Sequence, residues 1–251
     1  WTSLIAGYTQ HGYNEITLKC FEQMQHEGVS PIHATLVHCL TACSQIGATN
    51  KGREIHGEVE RRGLLGRDLV GNTVIDMYAK CGSLTMAQQV FDQLLVTDVV
   101  SWTALMTGYA HLGISQSVFD SFERMLGLGI KPDQVTFIVL LNACSRVGLF
   151  TKSQMYFESM SCLFGISPSL KHYSCVVDLL GRAGQMENAI TSAKTSPMCP
   201  NLVLWDALLS ACRNSGCIEN GKEVFEHVMC FSQHDACADF NRHGESKVGF
   251  L

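Results

Sequence analysis

Apolar residues recur along this chain at helical spacing, and glycines interrupt them at nearly regular intervals. One apolar stripe falls within residues 99–111, and Gly113 follows it, which is typical of the end of an amphipathic helix. A second stripe follows and ends in the segment Gly127–Asp133, which contains the glycine and proline that commonly terminate helices. The pattern therefore predicts pairs of amphipathic helices joined by short turns.

The helix pairs form an internal repeat. The segment WTSLIAGY at Trp1 returns as WTALMTGY at Trp102 and again as WDALLSAC at Trp205. Within this long period a glycine recurs every 31 to 36 residues, at Gly12, Gly47, Gly82, Gly113, Gly148, Gly184 and Gly216. A Tyr, Cys or Leu lies four residues before each glycine, and a Phe lies nine residues after most of them. Because one helix pair cannot bury both of its apolar faces alone, the repeat predicts an all-α fold, an α-solenoid with a concave groove.

The repeat lengths and residue types resemble the pentatricopeptide repeat (PPR) proteins of plants. The alternation of unit lengths resembles their P–L–S subclass with an extension (E-type) motif, and this likeness implies a right-handed solenoid. The tetratricopeptide pattern, with its constant period, fits poorly. The segments that carry the resemblance best are GNTVIDMYAKCGSL at Gly71–Leu84, HYSCVVDLLGRAGQMENA at His172–Ala189 and WDALLSACRNSG at Trp205–Gly216.

By this resemblance the chain divides into repeats and a tail. The expected units are a partial P repeat (1–32), an L repeat (33–67), an S repeat (68–98), a P repeat (99–133), an L repeat (134–169), a last S repeat (170–201) and an extension motif (202–235). Residues 236–251 depart from the family, in which a second extension motif follows, and we expect them to be disordered. Truncation or a changed reading frame would both give such a tail.

The resemblance also implies where RNA would bind. In the family, the fifth and last residues of a unit contact one base, and the second residue wedges between adjacent bases. The implied base-recognition residues are Thr2, Asn72, Asp98, Thr103, Asp133, Ser174 and Asn201. The implied wedges are Leu69, Val100, Val135 and Lys171, of which Lys171 could also meet a phosphate. The L units offer Val37 with Arg67 and Ile138 with Ser169, which cannot form the usual polar pair.

The chemistry of these pairs indicates which bases they would favour. A carboxylate such as Asp98 or Asp133 can accept the imino N–H of uracil or guanine, whereas the amide of Asn201 can donate to the ring nitrogen of adenine or cytosine. A short hydroxyl side chain leaves room for a purine, and the longer Asn72 reaches a pyrimidine. Together with the family's pairing rule, this chemistry predicts the target 5′-purine-N-U-G-N-A-3′.

The same residues have a simpler explanation, which stays open at this point. Asp98 and Asp133 each immediately precede a predicted helix, where an N-cap Asp stabilises by roughly 1 kcal/mol. The fifth-position side chains could be polar residues on a solvated groove. The recurring Trp1, Trp102 and Trp205 are predicted to pack in the core or between repeats.

Composition and charge narrow the possible functions. The formal net charge of −5 gives no support to a basic nucleic-acid-binding patch. No apolar run is long enough to span a membrane. The twelve cysteines include no C-x-x-C pair, and we expect buried thiols instead of disulfides or a zinc site. The H-x-E segments at His56 and His243 match half of the zinc deaminase signature, but P-C-x-x-C is missing. We therefore expect no cofactor, no metal and no enzymatic activity.

The resemblance implies a site-recognition factor for C-to-U editing of organellar transcripts. Its partners would be single-stranded RNA and a deaminase-bearing editing factor that meets residues 202–235. The chain starts at Trp1, so we expect missing earlier repeats and a missing segment that targets a mitochondrion or a chloroplast, of which the mitochondrion is preferred. Two alternatives remain: a helical scaffold that binds proteins, and a decayed, truncated family member.

Overall fold

The computed structural model describes residues 1–66, 68–194, 202–215, 221–222 and 224–226, and this part of the chain is helical without strands. Arg67, Asn201, Gly216, His243 and the tail 236–251 lie outside the described residues. The helices are α1 Thr2–Gln10, α2 Asn14–His26, α3 His33–Ile46, α4 Thr49–Arg61, α5 Asp68–Lys80, α6 Leu84–Gln93, α7 Val99–His111, α8 Ser115–Gly127, α9 Gln134–Val147, α10 Phe150–Cys162, α11 Leu170–Arg182, α12 Met186–Lys194 and α13 Leu202–Ser215.

The helices pack in chain order within two compact units, Trp1–Val139 and Leu140–Leu251. In the first unit the first helices of successive pairs, α1, α3, α5 and α7, pack side by side. Each second helix, α2, α4 and α6, contacts its own first helix and the first helix of the next pair. In the second unit α11 packs against α10, α12 and α13. This order is that of stacked two-helix repeats, so the predicted all-α solenoid is confirmed. The repeat boundaries themselves stay a prediction.

The recurring glycine ends the first helix of each pair. Gly47, for example, follows α3 with a φ of +68°, and its N–H donates to the carbonyl of Cys43. Every described member of the series has a positive φ, a backbone conformation that glycine adopts without a steric penalty. The chain can therefore leave each first helix in the same direction, and in the described pairs the second helix begins two residues after the glycine.

Residues at fixed distances from the glycine contribute large side chains and thiols to the core. The positions four residues earlier are buried at Cys43, Tyr78, Cys144, Leu180 and Cys212 and partly buried at Tyr8 and Tyr109. The phenylalanines nine residues later are buried at Phe21, Phe91 and Phe122 but not at Phe225, which is 53% exposed. His56 takes the place of a phenylalanine, and its Nδ1 lies 3.1 Å from the buried Tyr78 hydroxyl. The prediction that His56 packs instead of binding a metal is consistent with this position.

The prediction for the tryptophans is confirmed for two of the three. Trp102 and Trp205 are buried, and Trp102 packs edge-to-face on Phe91 with the ring centroids 4.7 Å apart. Trp1 was expected to be buried as well, but it is 38% exposed. At the same register position, Trp102 is covered by Phe91 of the preceding helix α6.

The described cysteines are free thiols, and most of them are buried. Burial raises the pKa of Cys43 to about 12 and that of Cys144 and Cys175 to about 11. These thiols are therefore protonated at neutral pH and act as small apolar residues. Within the described ranges, no three His, Cys, Asp or Glu side chains cluster as metal ligands would, and no helix is long and apolar enough to cross a membrane.

Small residues set the spacing between neighbouring first helices. A Cβ atom built on Gly108 of α7 would lie 2.6 Å from the Cβ of Ala79 on α5. In the second unit a Cβ on Gly181 of α11 would lie 2.3 Å from the Cβ of Ala211 on α13. The helix axes can approach this closely only where one of the two facing residues lacks a side chain.

The substitution Gly108→Ala tests this close approach. The added methyl group overlaps Ala79 and must push α5 and α7 apart, so we expect the free energy of unfolding to fall by about 1–3 kcal/mol. A matched control is Gly57→Ala in the middle of α4, where a Cβ meets nothing within 4 Å. There we expect a gain of about 0.5–1 kcal/mol from helix propensity. Urea denaturation of both variants measures the difference, and effects of the same sign would contradict this explanation.

Candidate nucleic-acid interface

An open groove of about 360 Å³ crosses the first helices of the first unit. Its described lining comes from α3, α5, α7, the start of α9 and the residue before α9. The lining residues are Thr41, Leu69, Asn72, Thr73, Asp76, Val100, Thr103, Ala104, Thr107, Asp133 and Val135. The groove thus brings together three of the predicted base-recognition residues and the three apolar wedge residues of this unit.

The pair Asn72 and Asp98 is joined directly. Asn72 is the fifth residue of α5, and its side-chain Nδ2 donates to the Oδ1 of Asp98 at 3.3 Å. Asp98 is the N-cap of α7, where its Oδ1 also accepts from the backbone N–H of Ser101 at 2.8 Å. The Ser101 hydroxyl completes a capping box by accepting from the Asp98 N–H. Asn72 is 7% exposed, so its amide has a fixed position at the floor of the groove.

The hydrogen bonds keep the Asp98 carboxylate charged. Partial burial acts to raise the pKa of Asp98, but the backbone and side-chain hydrogen bonds from Ser101, with that from Asn72, outweigh it and lower the pKa below its ordinary value. At neutral pH the group is therefore a pure hydrogen-bond acceptor.

The pair Thr103 and Asp133 is joined through a third residue. Thr103 is the fifth residue of α7, and its Oγ1 lies 3.2 Å from the Oγ1 of Thr136. Thr136 in turn donates its hydroxyl to the Oδ1 of Asp133 at 2.8 Å, and its backbone N–H donates to the same oxygen at 2.8 Å. Asp133 therefore caps α9 as Asp98 caps α7.

Capping and base recognition are compatible in this geometry. The hydrogen bonds that other described residues make to the side chains of Asp98 and Asp133 all end on Oδ1. The second carboxylate oxygen of each residue is thus left as an acceptor for an N–H group from outside the protein. The structure confirms the N-cap role, and base recognition by these residues stays a prediction.

The predicted wedge residues are apolar side chains exposed at equivalent places. Leu69, Val100 and Val135 are the second residues of α5, α7 and α9, and they are 64%, 52% and 50% exposed. All three line the groove beside the fifth-position residues. Exposed apolar side chains repeated at one register are available to contact flat apolar surfaces such as base faces.

The remaining predicted residues lie elsewhere. Thr2 of α1 places its Oγ1 2.8 Å from the Oγ1 of Thr35. In the second unit Ser174 is partly buried and its hydroxyl donates to the Leu170 carbonyl at 3.0 Å, while Lys171 is exposed. Asn201, the expected partner of Ser174, is outside the described residues.

One class of residue was missed by the sequence analysis. The third residue of most described first helices is a buried polar residue, namely Thr35, Ser101, Thr136 and His172. Ser101, Thr136 and His172 form hydrogen-bonded boxes with the N-cap residue before them. The signal was present as a polar residue three positions after Asp98, Asp133 and Ser169, which is the capping-box spacing.

The comparisons with known proteins assign this architecture. A family model described as PPR repeat matches residues 1–29, 72–96 and 135–163, and a second model, described as PPR repeat family, matches residues 97–146. The chain belongs to the pentatricopeptide repeat family. The predicted membership of this family is confirmed, while membership of the P–L–S subclass stays a prediction.

Several pentatricopeptide repeat-containing proteins of Arabidopsis thaliana are similar along most of this chain. One, named as putative, is 38% identical over 234 residues, which are 93% of this chain and 32% of that protein. Another is 40% identical over 230 residues, 91% of this chain and 28% of that protein. A third, whose name includes "mitochondrial", is 37% identical over 235 residues, which are 94% of this chain and 38% of that protein. This PPR chain thus spans roughly a third of the length of these relatives.

Solved structures share the fold. The maize pentatricopeptide repeat protein PPR10 superposes with a TM-score of 0.58 at 17% identity, over 93% of this chain and 38% of PPR10. PPR10 in complex with an 18-nt psaJ RNA element gives a TM-score of 0.57 at 16% identity, over 89% of this chain and 39% of PPR10. At this identity the likeness establishes the solenoid fold of this PPR chain and nothing finer.

The substitution Asp98→Ala tests the N-cap of α7, which is joined to Asn72 in the groove. Loss of the N-cap hydrogen bond should lower the free energy of unfolding by about 1 kcal/mol at neutral pH. Because the folded-state pKa of Asp98 is lowered, the charge-dependent part of this stabilisation is present above the ordinary carboxyl pKa and is lost as the pH falls through the folded-state value. The gap between wild type and variant should therefore narrow below about pH 4.

Denaturation at several pH values measures this gap. Asp98→Asn is the control, since asparagine is an equally good N-cap without the charge, and it should retain most of the stability at neutral pH. A gap that widens with acidification would contradict the assigned role of the carboxylate.

Proposed function

We propose that this chain binds single-stranded RNA in the groove of the first unit and distinguishes bases there. The observation that carries the proposal is a repeated triad of positions: an exposed apolar second residue, a polar fifth residue and an N-cap carboxylate linked to it. The triad occurs as Leu69, Asn72 and Asp98 on one repeat. It recurs as Val100, Thr103 and Asp133 on the next repeat.

Each triad suits one nucleotide. The apolar second residue can stack on a base face, because every base presents an apolar π-face. The fifth residue and the carboxylate can then meet the Watson–Crick edge of the same base. The free oxygen of Asp98 or Asp133 accepts an imino N–H, which only uracil and guanine carry in their common forms. The longer Asn72 leaves room for a pyrimidine, and the shorter Thr103 leaves room for a purine.

These assignments support the target 5′-purine-N-U-G-N-A-3′. Asn72 with Asp98 would select U, and Thr103 with Asp133 would select G. Ser174 with Asn201 would select A, and Thr2 a purine. The two unspecified positions belong to the L repeats, whose fifth residues are the apolar Val37 and Ile138. The RNA held by PPR10 in its complex supports RNA as the ligand class.

A role in C-to-U editing of an organellar transcript is the wider part of the proposal. It rests on the resemblance to the P–L–S subclass, with a deaminase-bearing partner recruited through residues 202–235. A relative named mitochondrial supports an organellar site, with the mitochondrion preferred. In this function the chain recognises the editing site on the RNA, and the partner deaminates the cytidine.

Replacement of both carboxylates by amides tests base recognition. Asp98→Asn and Asp133→Asn convert two acceptors into amides that can donate, while both remain good helix caps. We expect the wild type to prefer RNA containing AAUGAA over AACAAA, by roughly tenfold or more for each matched position. The double variant should prefer AACAAA. Fluorescence anisotropy titrations with unstructured, end-labelled RNA measure both ratios.

The salt dependence of binding provides a control for the kind of ligand. RNA binding should weaken steeply as salt rises, because phosphate contacts release counterions. Equal affinity of the wild type for both RNAs would refute base recognition by these residues. Failure to bind either RNA at low salt would refute the proposed function and favour a protein-binding scaffold or a decayed family member.

The wedge residues allow a test that is independent of base identity. Val100→Ala removes part of an apolar surface that stacks on any base, so the affinity for AAUGAA and AACAAA should fall by the same factor, about fivefold. Val147→Ala is the matched control, because Val147 is 54% exposed but does not line the groove. It should leave RNA affinity unchanged, and a loss of equal size would contradict the assignment of Val100.

A further inference from the structure

A buried hydroxyl group lies between the two residues proposed to recognise guanine. The Oγ1 of Thr136 is 3.2 Å from the Oγ1 of Thr103 and 2.8 Å from the Oδ1 of Asp133. Thr136 is the third residue of α9, and its side chain is fully buried. The helix that follows a repeat therefore supplies the contact that joins the fifth and last residues of that repeat.

We propose that Thr136 is a positioning residue for guanine, acting through Thr103 and Asp133; this inference rests on the proposed RNA-binding function. Thr136 is too buried to touch a base itself. Its hydroxyl and backbone N–H both hold Oδ1 of Asp133, which orients the carboxylate plane and leaves Oδ2 for the imino N–H of the base. The same hydroxyl fixes the distance between Asp133 and Thr103.

The hydrogen atoms of the two hydroxyl groups can be assigned from their partners. Thr136 has one hydroxyl hydrogen, and a bond to a carboxylate is stronger than a bond to a neutral hydroxyl. Thr136 therefore donates to Asp133. Thr103 can donate to the Val99 carbonyl at 2.6 Å or turn its hydrogen toward Thr136, and the bridge to Asp133 requires the second orientation, in which Thr103 donates to Thr136. In both orientations a lone pair of the Thr103 oxygen is left to accept an N–H from a purine.

The neighbouring repeat shows why the bridge is needed here. Asn72 is long enough to donate directly to Asp98, at 3.3 Å. The hydroxyl of Ser101, which corresponds to Thr136, accepts from the backbone N–H of its N-cap residue as Thr136 does, but it donates to the backbone carbonyl of Asp98 and not to the carboxylate. A fifth-position threonine is shorter than asparagine, so its link to the last residue passes through the third residue of the next helix.

Two other positions in the chain provide natural controls. Thr35 is the equivalent third residue of α3, and its hydroxyl lies 2.8 Å from that of Thr2. The N-cap before α3 is Ile32, which has no carboxylate to orient. The equivalent residue of α5 is Val70, which is 1% exposed, so this buried position accepts a valine. Thr136→Val therefore removes the hydroxyl while keeping a shape that the stack tolerates.

The experiment compares base preferences in the full chain. The RNAs contain AAUGAA, AAUAAA with guanine changed, or AACGAA with uracil changed, and anisotropy gives each affinity. We expect the wild type to favour guanine over adenine by roughly tenfold. Thr136→Val should reduce this ratio by about threefold to tenfold, as expected for one lost hydrogen bond, and keep the preference for uracil over cytosine. Thr136→Ser should keep both preferences, and Thr35→Val should change neither.

The outcomes separate this inference from the function on which it rests. A Thr136→Val protein that keeps the wild-type guanine preference, or a Thr136→Ser protein that loses it, overturns the positioning role and leaves RNA recognition standing. A wild type without any base preference overturns both. If Thr136→Val also loses the uracil preference, the ratio of affinities for AAUGAA and AAUAAA is measured for Thr136→Ala, which is smaller and also lacks the hydroxyl. A ratio equal to that of the wild type then overturns the positioning role.

Discussion

Helices α3, α5 and α7 touch along their buried faces, and at the closest approach Gly108 meets Ala79 without room for a further methyl group. A two-helix unit has too little apolar surface to fold alone, so each unit is stabilised by its neighbours. The same contact sets the spacing between first helices. Because each first helix carries its second and fifth residues at its start, the spacing also decides how far apart successive proposed base contacts lie. Stability and recognition therefore depend on one packing interaction.

The N-cap carboxylates connect these two properties. A helix start requires an acceptor for its free N–H groups, and Asp98 and Asp133 supply it with one oxygen. The other oxygen accepts no hydrogen bond from the described residues, and Asp133 lines the groove. Such an arrangement fixes the acceptor in place before a ligand arrives, which lowers the entropy lost on binding. It also explains why the sequence could not separate helix capping from base recognition as the role of these residues. One carboxylate has an oxygen for each role.

Local rules were enough to predict one helix to the residue. The helix expected over residues 99–111 is α7 Val99–His111, because its apolar stripe, the glycine after it and the aspartate before it all agree. The burial of Trp102 followed from its register. The register did not predict the exposure of Trp1 and Phe225, because the burial of a repeat position depends on the side chains packed against it and not on the register alone. The capping boxes of Ser101, Thr136 and His172 could have been predicted from their spacing, whereas the contacts of Thr35 with Thr2 and of Thr136 with Thr103 could not, because a polar side chain in a helix start gives no sign of a partner about 33 residues away.

The sequence by itself determined the helix pairs, their ends, the family and the identity of the polar residues at the start of each first helix, because periodicity, glycines and caps are local properties. The tertiary structure alone decided which of those residues meet. It placed Asn72 against Asp98 directly and Thr103 against Asp133 through Thr136, and it gathered three exposed apolar residues along one groove. The physical reason is that these contacts join different helices, and their geometry follows from how closely the packed side chains allow the helices to approach.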